Sequence, residues 1–243
     1  MLRRLLRGIR LALLAGVLVL LLAGGVLAVL ALENDKDSVC YGETNNGRLE
    51  NAKRLQLSGD NYSAYWTVGW LLGRTNMHGT PRDIVETAYA RLAMSDPDLR
   101  FVYGEAGWPW GGRFWPHRTH QSGLSVDFVV PVRDDEGRSV PFPRSMWRGG
   151  FYSVDIGPDG RFGPYRVDFE AMASHLATLR SAAADRGVGI NRIFFDPGLQ
   201  PRLFATPEGA RLKRQIMFST KPSWFRHDAH YHVDFDLSCG PMT

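Results

Sequence analysis

Hydrophobic positions along the chain fall into three rhythms. Leu11 to Leu32 is an unbroken run of 22 uncharged residues, dominated by Leu, Val and Ala. At about 1.5 Å per residue, a helix of that length spans a hydrocarbon layer of ~30 Å. The second rhythm is helical. Ile84, Ala88, Tyr89 and Leu92 keep that period up to Met94, and Pro97 closes the region. Thr80-Pro81-Arg82-Asp83 reads as their capping box, with Pro at the first helical position. Phe169, Met172, Leu176 and Leu179 mark a helix stopping near Gly187, and 206–217 a further one. The third rhythm alternates. Leu124, Val126, Phe128 and Val130 interleave with Ser125, Asp127 and Val129, which predicts a strand. Leu99–Tyr103, Ile190–Phe195 and His230–Leu237 are further strands. Gly157-Pro158-Asp159-Gly160 is the turn of a hairpin joining 151–156 to 162–167. Helices and strands mix without a regular βαβ alternation and without an internal repeat. The pattern predicts an α+β fold with a central antiparallel sheet and flanking helices, preceded by one transmembrane helix.

Charge changes the picture at one end. Arg3, Arg4, Arg7 and Arg10 are the only charged side chains in the first 32 residues; the remaining 211 residues carry 25 basic and 25 acidic side chains. The pI near 9.2 therefore describes a short tail, and no basic face for nucleic acid is expected. Arginines before the span and Glu33, Asp35 and Asp37 after it orient the N-terminus towards the cytoplasm. The apolar run exceeds the roughly 7–15 residues of a cleavable signal, and Ala28-Val29-Leu30-Ala31 lacks small-x-small spacing. Residues 1–32 are therefore read as a signal anchor, 33–45 as a tether and 46–243 as one domain facing the periplasm or outside. A soluble periplasmic domain released by signal cleavage is the alternative. The two cysteines, Cys40 and Cys239, lie at the domain's ends; in an oxidising compartment they would pair, and two unrelated thiols are the alternative.

Candidate chemistry concentrates in histidine. Five of the seven histidines fall into two groups, His117-Arg-Thr-His120-Gln-Ser-Gly-Leu-Ser-Val-Asp127 and His227-Asp-Ala-His230-Tyr-His232. Aromatics precede both: Trp108, Trp110, Phe114 and Trp115 before the first, Trp224 and Phe225 before the second. On a strand, His230 and His232 project to one side with Cβ atoms about 6.5–7 Å apart. Asp127 falls on the face opposite Leu124, Val126 and Phe128, where an unpaired carboxylate is costly and a cation removes the cost. A His, an Asp and a His converging with an open position is the composition of a catalytic zinc site. His78, in a loop before a helix, and His175, inside a helix, are read as structural. Gly111-Gly112 is read as a tight turn or close backbone approach, and Asp196-Pro197-Gly198 as a turn. Trp108, Trp110 and Trp115 either line a substrate groove or pack locally.

The two histidine motifs, with Gly111-Gly112-Arg113-Phe114 and Trp224-Phe225 beside them, resemble the penicillin-insensitive murein endopeptidases, within the wider group of LAS zinc peptidases. The resemblance covers roughly 41–240. It implies a hedgehog-like peptidase fold and one Zn2+ held by His120, Asp127 and His232. It implies that His230 is the general base, with His227 and His117 as further active-site histidines. The substrate it implies is the D-alanyl–meso-diaminopimelyl cross-link between peptidoglycan stem peptides. Two features depart from the family: Thr119 stands where Ser is common, and an anchor replaces a cleaved signal. A D,D- or L,D-carboxypeptidase on stem peptides and a non-catalytic zinc-containing wall-binding module are the alternatives.

Overall fold

The computed structural model describes residues 2–31, 33–143, 154–221 and 226–242. Trp224, Phe225 and part of the expected strand 151–156 lie outside the described residues. Helix α1 (Leu2–Ala31) contains the apolar run; Arg7–Ala28 is long and apolar enough to cross a membrane, as an anchor or as a signal, and none of it is buried.

The segment read as a tether is built into the domain. Strands β1 (Val39–Glu43) and β2 (Asn46–Glu50) form an antiparallel hairpin with Cys40 opposite Leu49. Cys40 is disulfide-bonded to Cys239, and Gly42 N–H donates to Gly240 O at 2.8 Å, so the two ends of the domain are tied side by side. Ser38 Oγ donates to Asn51 O at 2.7 Å and accepts from Gly79 N–H at 3.0 Å.

Next come β3 (Lys53–Arg54), β4 (Tyr62–Ala64), α2 (Thr67–Leu71) and β5 (Asn76–Met77), which pairs with β3. In α3 (Gly79–Ser95) the buried residues Pro81, Ile84, Val85, Ala88, Tyr89 and Leu92 recur at helical spacing. Its cap is not Thr80: His78 Nδ1 accepts from Thr80 N–H at 3.1 Å, which moves Pro81 two positions inward. An imidazole is not among the usual capping side chains, so the Thr-Pro pair outweighs it on sequence grounds. Strands β6 (Phe101–Tyr103), β7 (Ser125–Val129), β8 (Val132–Arg133) and β9 (Ser139–Val140) follow. The expected hairpin is shorter than its turn suggested. Gly157–Gly160 does turn, Gly160 N–H donating to Gly157 O at 2.8 Å, but the paired strands are β10 (Arg161–Phe162) and β11 (Tyr165–Val167), which reverse at Gly163-Pro164. The remaining elements are α4 (Phe169–Ala184), capped by Asp168 accepting from Ala171 N–H, β12 (Gly189–Phe194), α5 (Gln200–Phe204), α6 (Pro207–Gln215) and β13 (His230–Asp236). Helix α5 begins directly after the expected turn at Asp196-Pro197-Gly198.

The fold is α+β. Its five-stranded sheet has the order β12-β13-β7-β6-β4 and is antiparallel except for the β4/β6 edge, which is parallel. That edge corrects the all-antiparallel expectation: α3 crosses between β4 and β6 and returns the chain in the same direction. On one face Phe128 and Tyr231 meet Tyr89 of α3 and His175 of α4, with Phe128 and His175 ring centroids 4.6 Å apart. Truncating a ring such as Phe128 would cost about 3–5 kcal/mol. The other face carries the polar residues.

Candidate metal centre

Strand alternation builds the site. Along β13, His230, His232 and Asp234 share one face; across the register His232 stands opposite Asp127 and Asp234 opposite Ser125 of β7. All five are buried. Asp127 therefore lies where the pattern put it, on the face away from Val126 and Phe128.

His232 Nδ1 lies 2.9 Å from Asp127 Oδ1, and His232 Nε2 lies 2.8 Å from Asp234 Oδ1. Ser125 Oγ donates to Asp234 at 2.6 Å. His120 Nδ1 donates to Ala106 O at 2.9 Å, which leaves Nε2 3.3 Å from Asp127 Oδ1. His120 arrives from a loop in which its own φ is 67°, the left-handed region. That costs an ordinary residue of order 1 kcal/mol and turns the ring back towards the sheet. Gly107 accommodates the bend: a Cβ there would stand 2.8 Å from His120 O. The expected role of Gly111 also holds, at φ 68° with no room for a Cβ beside Gln121 O.

His117 enters the same cluster. The donor atoms of His117, His120 and Asp127 lie within 4.8 Å of one another, an arrangement able to hold a metal ion. The resemblance gave His117 a catalytic part; geometrically it stands among the potential ligands, Nδ1 lying 3.6 Å from Asp127 Oδ2. His227 is half-buried, its ring centroid 4.5 Å from that of His230. The six residues singled out by sequence thus meet in one place. Asp234, Glu105 and Arg74 were not singled out. Glu105 Oε2 lies 2.7 Å from His117 Nε2, and Arg74 pairs with both oxygens of Glu105. For Asp234, the continued alternation of His230-x-His232-x-Asp234 was a usable signal. For Glu105 and Arg74 there was none.

Electrostatics sort these groups. Burial opposes ionisation of Asp127, but His120, His232 and His117 around it hold the carboxyl well below its ordinary range. Burial likewise opposes a charged His232, yet Asp234 and Asp127 raise it to about 10. Burial, helped by His227, pushes His230 well down, and burial also lowers His120. The site gathers positive charge onto two carboxylates. Two of its buried atoms, His120 Nε2 and Asp127 Oδ2, make no hydrogen bond among the described residues. A divalent cation satisfies both, so the residues fit one.

The structural histidines stay out of the site. His175 lies in the core with its Nδ1 2.8 Å from Tyr231 Oη, and His78 caps α3. Of the three tryptophans before the first histidine group, Trp110 and Trp115 are exposed while Trp108 stacks on Trp110 with centroids 5.7 Å apart.

Buried imidazoles gathered with a carboxylate into a cluster able to hold a metal ion have the composition of a hydrolytic metal centre. The family model for penicillin-insensitive murein endopeptidase matches residues 40–242, and the chain belongs to that family. No curated protein matches the sequence.

Proposed function

We propose that the chain is a zinc-dependent murein endopeptidase hydrolysing D-alanyl–meso-diaminopimelyl cross-links in peptidoglycan. The observation that carries this reading is the convergence of His120 Nε2 and His232 Nδ1 on Asp127, each ring fixed through its other nitrogen. That pattern, imidazoles oriented by a carbonyl and by a carboxylate, is how proteins prepare histidines as metal ligands. His120, Asp127 and His232 would hold the ion, and the all-N/O donor set suits zinc with a position open to substrate. Bound there, zinc would polarise the scissile carbonyl and make water acidic enough to attack at neutral pH.

The chain's own residues divide the remaining work. His230, kept neutral by burial and by His227, is the base that takes the attacking water's proton and returns it to the departing amine. His227, half-buried beside it, donates to the developing oxyanion, while His117 lies against Asp127 within the metal cluster. The exposed rings of Trp110 and Trp115 flank the His117 loop and would offer faces to stem peptides. The five-stranded sheet with its helices serves as the central sheet of a hedgehog-like peptidase. The disulfide and the family both favour an extracytoplasmic domain, which α1 would hold at the inner membrane.

The test is a muropeptide digest by the full chain, with zinc and with chelator, read by mass. Conversion of cross-linked dimers to monomers is the expected product. Release of a single terminal residue with dimers intact would replace the reading with a carboxypeptidase. Stoichiometric zinc without turnover would replace it with a wall-binding module.

A further inference from the structure

The segment Gly104-Glu105-Ala106 follows β6 and belongs to neither histidine motif, yet it touches three of the site's residues. Its backbone is pinned to Asp127: Gly104 N–H donates to Asp127 O at 2.7 Å, and Asp127 N–H donates to Glu105 O at 2.8 Å. Ala106 O fixes His120 Nδ1 at 2.9 Å. The Glu105 side chain reaches His117 Nε2 at 2.7 Å. Position 105 is thus locked in register with the acid at the centre of the site while its side chain holds an imidazole on the rim.

Arg74 completes the clamp. Its Nη2 lies 2.9 Å from Glu105 Oε2, its Nε bonds Oε1, and Nη2 also donates to Trp115 O at 3.1 Å. Its guanidinium lies over the Phe114 ring at 4.2 Å and the Trp108 ring at 4.9 Å. Arg74 O in turn accepts from Ala106 N–H at 3.0 Å and Gly107 N–H at 3.1 Å. Both side chains are largely buried, at 12% and 14% exposure. A bidentate guanidinium–carboxylate pair of this kind is rigid, because both groups are planar and the fork fits in one orientation.

We propose that Glu105, held by Arg74, is a positioning residue that fixes the tautomer of His117 and turns its Nδ1 towards Asp127. An ionised carboxylate can only accept, so the proton on His117 must sit on Nε2. The ring then turns its Nδ1 towards Asp127 Oδ2, 3.6 Å away. Without Glu105 the carboxylate that selects this proton position is gone. His232 is treated the same way on the opposite side, with Asp234 on its far nitrogen. The centre is a chain of carboxylates alternating with imidazoles: Asp234, His232, Asp127, His117, Glu105. The proposal rests on His117 being a working part of the site described above.

The experiment reads the tautomer itself. Full chain labelled with 15N-histidine in detergent micelles gives long-range proton–nitrogen spectra, and His117→Gln assigns the His117 signals. The wild type should show His117 protonated at Nε2. Glu105→Ala should give a mixture of tautomers, with muropeptide kcat lowered about 10–100-fold and KM changed little. Glu105→Gln keeps an acceptor and should retain the Nε2 tautomer with most of the activity. If Glu105→Ala does not fold, Glu105→Asp withdraws the carboxylate by one methylene and should give the mixture instead. A His117 tautomer unchanged in Glu105→Ala or Glu105→Asp overturns the proposal, whatever happens to the rate. Because the spectra need no turnover, a chain that cleaves nothing still decides it.

Discussion

His175 and His232 are both buried, on opposite faces of one sheet, and they have opposite fates. His175 projects from α4 into an aromatic core, where Tyr231 Oη is its hydrogen-bonding partner, and burial drops it to about 3. His232 lies between Asp127 and Asp234, and those carboxylates overcome burial and raise it to about 10. Burial alone makes a histidine a packing residue. A carboxylate at each ring nitrogen makes it a group that binds positive charge. Strand β13 separates the two settings by alternation alone, since Tyr231 faces one and His230 and His232 the other.

The largest expected effect breaks the charged side. His232→Ala should remove metal and lower activity by more than ~10³-fold, whereas His230→Ala should lower activity about 10²–10⁴-fold with metal retained. Metal analysis beside the digest checks the pair, and equal metal loss in both would refute the division of roles. Asp234→Asn makes the surroundings of His232 more like those of His175. Metal affinity should fall about 10–100-fold, measured by competition with a chelating dye.

The third prediction concerns pH on the apolar side. His175 is neutral when folded and takes a proton near 6.5 when unfolded, so its contribution is complete above that pH and is lost as pH falls towards 3. Between pH 8 and pH 5 the domain should lose about 2 kcal/mol from this residue. Urea melts at the two pH values should show the loss in wild type, with a smaller loss in His175→Phe. The smallest effect sharpens the separation of the two faces. Tyr231→Phe should cost about 1 kcal/mol of stability and leave metal affinity unchanged. Combined with Asp234→Asn, its effect should add within about 0.5 kcal/mol.

Alternation and helical period carried most of the fold, because β7 and β13 set an apolar face against a polar one and α3 and α4 bury residues at helical spacing. The same logic put Asp127, His230 and His232 on one side of the sheet. What escaped was tertiary. Glu105 reaches His117 across 12 residues and is clamped by Arg74 across 31, separations that no local pattern records. The left-handed backbone at His120 comes with a close approach of its carbonyl to Gly107, 13 residues away and outside any local pattern. The short strand β1 escaped because a polar, turn-rich stretch carries little periodicity, and its place is held by Cys239, 199 residues away.

The most direct test of the account is metal-dependent cleavage by the full chain, compared with Asp127→Asn. Asp127 is the group on which His117, His120 and His232 all converge. The account predicts that wild type binds one zinc and converts cross-linked muropeptide dimers to monomers, that chelator stops it and zinc restores it, and that the variant does neither. Dimers left intact by a zinc-loaded wild type, or cleaved equally by Asp127→Asn, would contradict it.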